Sequence, residues 1–393
     1  MASLTVASVL YLLAIREFFT IPKFPRQVVV VGLVLAVVWH IAFLLVPAGP
    51  DDDIHRYVWD GRLQRLGYNP YVVVPSDPVV KDLHTPETRN LNNPDLPSPY
   101  PAGAQLFFRA VMAIHESTFA LKVAFVLCEF AIAFLLLEVL HRNGQGAHLV
   151  LAFAWNPLLA IEVAGSGHID IVGALLLVMS AAALVRRWRT AATVAFGLAV
   201  VVKFLPIVLL PLYWKRVRVR DVALAALVAA LLYLPFLQHG RIPIGSLGTY
   251  VQTFRFNGPV FAAVDQLASP LLVAGLAVLV RLVTAICLRR TKPELSLDAF
   301  AWPMAATLLC APAVFPWYLL WLLPFLMSAS TLLIIVWSAS IIPVYIQWHL
   351  RALGHPWGPL ADWVMLVEYG CVGMAGIIVA LRRSTVPSYP PER

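Results

Sequence analysis

PDDDIHRYVWDGRLQRLGYNPY, residues 50–71, follows directly on an apolar run, Val28 to Val46, that is long enough to cross a bilayer. Three consecutive carboxylates, Asp51, Asp52 and Asp53, therefore begin where the hydrocarbon ends. Read with helical spacing, Asp53, Arg56, Tyr57 and Asp60 fall on one face, which gathers two carboxylates, a guanidinium and a phenol. The other face carries Ile54, Val58, Arg62 and Arg65, apolar then basic, as expected of a helix lying along a headgroup layer. Two readings fit this stretch. It is the first catalytic loop of a membrane enzyme, or an amphipathic surface helix whose Asp run caps its N-terminus.

Working outward, apolar runs recur along the 393 residues, which are 60% hydrophobic and only 13% charged, with mean hydropathy +0.80. The chain reads as an all-α polytopic integral membrane protein, one membrane-embedded domain over 1–393 with no sizeable soluble domain. The excess of Lys+Arg (29) over Asp+Glu (21) gathers at the ends of hydrophobic runs, so it reports topology and not nucleic acid. Cys128, Cys287, Cys310 and Cys371 all lie within apolar segments and offer neither a disulfide framework nor metal-ligand spacing. The N-terminus lacks a basic n-region and a small-residue cleavage site, so Ser3 to Ile15 is expected to be a short first span, not a removable signal.

Positive charge assigns sides. Arg16, Lys23 and Arg26 place the first short loop in the cytoplasm and the Asp run outside. A first outer loop (47–116) then holds an apolar segment, Ala104 to His115, interrupted by Arg109 and expected to lie in the outer interface as an amphipathic helix. Ala147 to Ala164 is expected to cross outward to GSGHID, Gly165 to Asp170, with His168 and Asp170 at the mouth of the next span. Thr190 to Trp214 lies between two basic clusters, which one crossing cannot satisfy. A broken pair of short helices is expected there, with Lys203 near the turn as a functional candidate facing the interior; a lysine snorkelling from a helix end is the alternative. A second outer loop (238–259) carries His239, Arg241, Arg255 and Asn257, and the path totals 10–12 membrane helices. Trp317 and Tyr318, in PWYLLW, are belt residues or a stacking surface for a sugar.

An acidic outer loop facing scattered cations suits group transfer from an anionic lipid, the carboxylate taking a proton and the cations steadying a departing phosphate. Neither a Walker loop, a zincin HExxH nor a GxSxG elbow is present, which argues against ATPase, zinc protease and serine hydrolase readings. A lipid-linked sugar transporter would need similar groups, but it predicts inverted repeats with paired broken helices, and the sequence shows one broken pair.

The loop resembles that of the GT-C superfamily of polyprenyl-phosphate-sugar-dependent glycosyltransferases. DDIHRYVWDGRLQRLGYNPY is similar to the (S/D)DDxxRYxWDGRxxxxGxNPY segment of bacterial polyprenol-phosphate-mannose-dependent α-mannosyltransferases. WNPL (155–158), SGHID (166–170), KFLP (203–206), FNGP (256–259) and PWYLLWLLP (316–324) fit the same family in the same order, with Ile169 standing where the family usually has Asn. The resemblance implies a GT-C fold and inverting transfer of a hexose, most simply mannose, from a polyprenyl-phosphate donor to a glycan or glycolipid hydroxyl. It places the active site on the extracytoplasmic face of the cell membrane. It also implies Asp53 as general base with Asp52 as its neighbour. Arg56, Lys203, Arg255 and His168 are the candidates for the donor phosphate, though Arg56 could instead pair with Asp60 at i+4. Asp60, Tyr57, Asp170, Trp317 and Tyr318 are the candidates for acceptor or sugar contacts. An Asp-rich run can hold a divalent cation, but no obligatory metal or other cofactor is expected. Arabinose, glucose or aminoarabinose on the same carrier would be compatible with the same residues.

Overall fold

In the computed structural model the described residues are 2–49, 53–89, 91–238, 243–264, 270–291 and 296–384. They are helical almost throughout. Among the described residues six helical segments are long and apolar enough to cross a membrane: Ala2–Thr20, Arg26–Leu44, Thr118–Arg142, Val219–Phe236, Ala329–Ala352 and Asp362–Leu381. Ala147–Ala154 and Leu159–Gly165 add a seventh candidate, bent by 65°. Ala102–Ile114, Asp170–Val185 and Arg189–Val202 are apolar but shorter, so several of the runs behind the expected 10–12 membrane helices fold as shorter or interrupted helices.

Pro22 and Pro25 separate α1 (Ala2–Thr20) from α2 (Arg26–Leu44). The Tyr11 hydroxyl of α1 donates to the Ala152 carbonyl at 2.7 Å. Along α2 only Val29, Gly32, Ala36 and His40 are buried, a narrow stripe at helical spacing, and the remaining faces are exposed and apolar. Gly32 is part of that stripe because a Cβ there would stand 3.0 Å from Leu151.

The first polar loop folds as α3 (Ile54–Arg65), a 3-10 turn (Pro78–Leu83) and α4 (Ala102–Ile114). Here the expected headgroup-facing side of α3 is corrected: Ile54, Val58, Trp59 and Leu63 are all buried, so the apolar part of that side packs within the protein and only the Arg65 end of the helix is exposed. Gly61 permits the close approach, since a Cβ would lie 2.8 Å from the Phe108 carbonyl oxygen on α4. The basic pair does not reach for lipid phosphates; Arg62 and Arg65 both bind Glu116, and Arg62 Nε also donates to the Leu83 carbonyl at 2.8 Å. By contrast, α4 is amphipathic as expected. Ala104, Phe108, Val111 and Met112 are buried while Arg109 and Ile114 face outward.

From Ser117, whose hydroxyl caps it, α5 runs the length of Thr118–Arg142. The segment expected as one crossing, 147–164, instead breaks at WNPL. A 3-10 turn leads to α6 (Leu151–Ala154), and after the break a π-type helix covers Leu159–Gly165. Pro157 removes a backbone donor at the bend, and Asn156 Oδ1 accepts from the Leu158 amide at 3.1 Å in its place. Beyond it, α7 (Asp170–Val185) packs on α5 and on α8 (Arg189–Val202).

The second break stands where the charges require it. After α8 ends at Val202, Lys203 is extended, a 3-10 turn covers Leu205–Leu209 and α9 (Leu210–Tyr213) is a single turn. The chain continues through α10 (Val219–Tyr233), α11 (Leu247–Thr253), α12 (Pro259–Val264), α13 (Pro270–Thr291) and α14 (Asp298–Leu309). PWYLLW and the residues after it form two 3-10 turns, Pro316–Trp321 and Leu323–Phe325, buried in the core. Then follow α15 (Leu332–Ser340), α16 (Ile346–Ala352), separated by a turn containing Pro343, and α17 (Asp362–Ser384).

Candidate active site

Asp53 stands at the N-terminus of α3, where one carboxylate oxygen accepts from the Asn92 side-chain amide at 2.8 Å. Tyr100 lies beside Asp53 and Tyr57, its ring edge-on to Tyr57 with centroids 5.0 Å apart. Among the described residues no cation forms an ion pair with Asp53. Asp51 and Asp52 lie outside the described residues, as do His239 and Arg241. Burial, reinforced by the nearby carboxylates Asp53 and Asp170, pushes the Tyr57 phenol far above its ordinary range, and burial with Asp53 does the same to Tyr100. Tyr57 therefore lies between two carboxylates brought from different parts of the chain. It is fully buried and stacked on Phe108 (4.4 Å between ring centres, 10°), which makes it a bridge between α3 and the start of α7 and not a sugar contact.

The SGHID turn supplies the second carboxylate. Gly167 adopts φ +78°, and a Cβ there would collide with Ile54 of α3 at 2.5 Å, so the turn can press on the first loop only with glycine at this position. Asp170, wholly buried, accepts on Oδ1 from Lys203 Nζ and from Trp321 Nε1, both at 2.7 Å, while Oδ2 has no hydrogen-bond partner among the described residues. Gly173, one turn on, leaves room for the Trp321 ring, which would lie 1.9 Å from an added Cβ. Lys203 Nζ also sits 4.0 Å from the centre of the Tyr318 ring, and its side chain is about one quarter exposed (24%). Lys203 is thus an interior ion-pair partner at a helix break, not a snorkelling residue.

His168 is buried with Nδ1 2.8 Å from Glu162 Oε2, and the other Glu162 oxygen accepts from the Tyr345 hydroxyl. Its ring stacks on Trp317 at 4.1 Å and 9°. The stack continues through Phe315 (4.6 Å, 7°) to Phe256 of the second polar loop (4.7 Å, 16°). Phe256 is held in register by two backbone hydrogen bonds with Pro312 and Val314, and Asn257, at φ +53°, is tied by its side-chain amide to Glu368 at 2.9 Å. Four rings thereby join FNGP, PWYLLW and SGHID.

Two sequence candidates are occupied elsewhere. Arg56 donates from Nε to Asp60 at 2.9 Å and from its terminal nitrogens to the Asn93 and Leu96 carbonyls, so its guanidinium clamps the polar loop. Asp60 is buried and accepts further from Ser98 Oγ at 2.5 Å and Gln105 Nε2 at 2.8 Å. Both are buried, and the i, i+4 pairing is the arrangement adopted. Arg255 is exposed, stacked over Phe261 at 4.4 Å, on the loop that carries Phe256. Sequence reasoning missed Tyr100, Asn92, Glu162 and Trp321. Tyr100 is the one with a signal, a tyrosine inside the Pro-rich end of the acidic loop. Among the described residues no group of three His, Cys, Asp or Glu side chains could hold a metal ion.

The multi-helix fold, the acidic first loop and the lysine at a broken helix are compatible with a GT-C glycosyltransferase, the class that the sequence motifs resemble. The family described as alpha-(1->6)-mannopyranosyltransferase, N-terminal domain, matches residues 2–218, and the chain belongs to it. The crystal structure of ArnT from Cupriavidus metallidurans bound to undecaprenyl phosphate is similar in fold, with TM-score 0.51 and 15% identity over 92% of this chain and 73% of that one. No curated protein matches the sequence.

Proposed function

We propose that this glycosyltransferase moves mannose, with inversion, from a polyprenyl-phosphate donor to a hydroxyl of a glycan or glycolipid at the extracytoplasmic face of the cell membrane. Family membership supports mannose and an α-(1→6) product, and the undecaprenyl phosphate held by ArnT supports the carrier. The observation that carries the reading is Asp53, a carboxylate that accepts from the neutral Asn92 amide, has no ion-pair partner among the described residues, and lies near Tyr57 and Tyr100, Tyr57 being also near Asp170 of the Asp170–Lys203 pair.

In this reading Asp53 accepts the proton of the acceptor hydroxyl as its oxygen bonds to the anomeric carbon. The bond from that carbon to the phosphate oxygen breaks on the opposite side, and polyprenyl phosphate leaves with the electron pair. A β-linked donor thus gives an α-glycoside. Lys203, oriented by Asp170 and Tyr318, steadies the charge growing on the phosphate, with Arg255 as the second cation. Trp317, held in the stack between His168 and Phe315, turns its edge and not a ring face toward the sugar. Arg56 and Asp60 shape the loop. Asp52 keeps the role of neighbouring carboxylate that the motif implies.

The test is transfer by the purified protein from polyprenyl phosphates carrying mannose, glucose or arabinose to a mannoside acceptor, with and without chelator. Mannose transfer giving an α-linked product, undiminished by chelator, is expected. Transfer of another sugar in preference to mannose would overturn the donor assignment.

A further inference from the structure

At the end of α8 remote from Lys203, about 20 Å away for 14 helical residues, lies a second concentration of charge. A cleft of about 280 Å³ is lined by Arg187, Arg189, Thr190, Arg218, Arg220 and Asp221, drawn from the starts of α8 and α10 and the residues just before them. Four guanidiniums face one carboxylate, and that carboxylate is engaged within the protein: Asp221 Oδ1 accepts from the Thr190 hydroxyl at 2.7 Å and Oδ2 from the Arg218 amide at 3.0 Å. All four arginines are exposed, and among the described residues none forms an ion pair within 4.0 Å. Nearby, Arg142 and Arg186 are both paired with Glu138. Orienting a helix in a membrane requires that positive charges be numerous on one side; it does not require that four of them converge on one cleft.

The surroundings decide between a soluble anion and a lipid. A candidate membrane span begins at Val219, between two of the arginines, so the cleft lies at headgroup depth. Trp188, Trp214, Val219 and Val222 beside it are exposed apolar side chains, suited to the glycerol and upper acyl region, and Arg186 lies over the Trp188 ring at 5.0 Å. We propose that this cleft binds the phosphate headgroup of an anionic membrane phospholipid, two or more guanidiniums gripping its oxygens while the flanking tryptophans cover the chains. The site is independent of the transfer reaction proposed above.

Native mass spectrometry of the purified full chain in detergent, titrated with dioleoyl-phosphatidylglycerol or dioleoyl-phosphatidylcholine, tests this. One phosphatidylglycerol should be retained at least tenfold more tightly than phosphatidylcholine. Arg189→Gln/Arg220→Gln and, separately, Arg187→Gln/Arg218→Gln should each abolish that preference. Lys23→Gln/Arg26→Gln, which removes the same charge from another basic loop, should keep it. Equal retention of the two lipids, equal loss in all three double variants, or displacement of the lipid by millimolar inorganic phosphate would each overturn the proposal, the last by identifying a free-anion site.

Discussion

Replacing Lys203 with Met removes the cation from a carboxylate that has almost no other compensation. Lys203 Nζ and Asp170 Oδ1 are 2.7 Å apart, and at an effective dielectric of about 20 their gross attraction is about 6 kcal/mol. Desolvation of both groups offsets much of this. Removing one partner of a fully buried pair generally costs about 3–5 kcal/mol, because the other charge is stranded. Lys203 is about one quarter exposed, so water can partly replace it, whereas Asp170 is enclosed and its Oδ2 has no partner among the described residues. Allowing for that screening, Lys203→Met should cost about 2–3 kcal/mol. The remaining Trp321 hydrogen bond cannot neutralise the charge. Asp170→Asn in the same background should return at least about 1.5 kcal/mol, since it removes the stranded charge. Reversible unfolding in mixed detergent micelles gives all four corners of the cycle. A loss below about 0.5 kcal/mol for Lys203→Met, or no recovery in the double variant, would refute the view that the pair is a coupled interior unit. The transfer rate should stay low in the double variant even as stability returns, because the proposed phosphate-facing cation is absent from both.

Three further outcomes follow from the loop. Asp60→Asn should cost about 3–5 kcal/mol, since Arg56 is buried beside it and Ser98 and Gln105 both donate to it; Tm in detergent reads this. Gly245→Ala should release the second polar loop, because Gly245 is at φ +53° and a Cβ would lie 1.7 Å from the Ser98 carbonyl oxygen; faster proteolysis within 243–258 is the readout, and Gly248→Ala, where an added Cβ meets nothing, is the control. Alkaline sensitivity comes from Tyr57 and Tyr100, whose phenols are raised in the folded state by burial and by Asp53. Their contribution is complete below the unfolded value of about 10 and is lost as pH climbs above it, so Tm should hold to that point and then fall, less steeply in Tyr100→Phe.

Local pattern revealed much of this architecture. An Asp run at the end of an apolar segment marked the loop, and paired basic clusters around 190–214 required the break that places Lys203 beside Asp170. What local pattern could not supply was the partner of each charged group. Helical spacing puts Arg56, Tyr57 and Asp60 on Asp53's face, yet their partners come from 93–105 and from the start of α7, at separations no periodicity reports. Ile54 and Val58 read as a lipid-facing stripe because an apolar face looks the same whether it meets lipid or α4 and the SGHID turn. The bend at WNPL was hidden by continuous hydropathy, although Asn156-Pro157 is a recognisable local breaker. Glu162 lay unnoticed in an apolar run, where only its buried neighbours His168 and Tyr345 give it meaning.

The central claim is that Asp53 is the base, and the most direct measurement is single-turnover transfer from radiolabelled polyprenyl-phosphate mannose to a mannoside acceptor, wild type against Asp53→Asn, with donor binding measured on the same preparations. With Asp53 as the base, the variant's rate should fall by at least about 10²-fold, the lower range for loss of a positioned proton acceptor, with donor affinity and Tm near wild type. A variant that transfers mannose within a few-fold of wild type while correctly folded would contradict it and move the base to another carboxylate of the run.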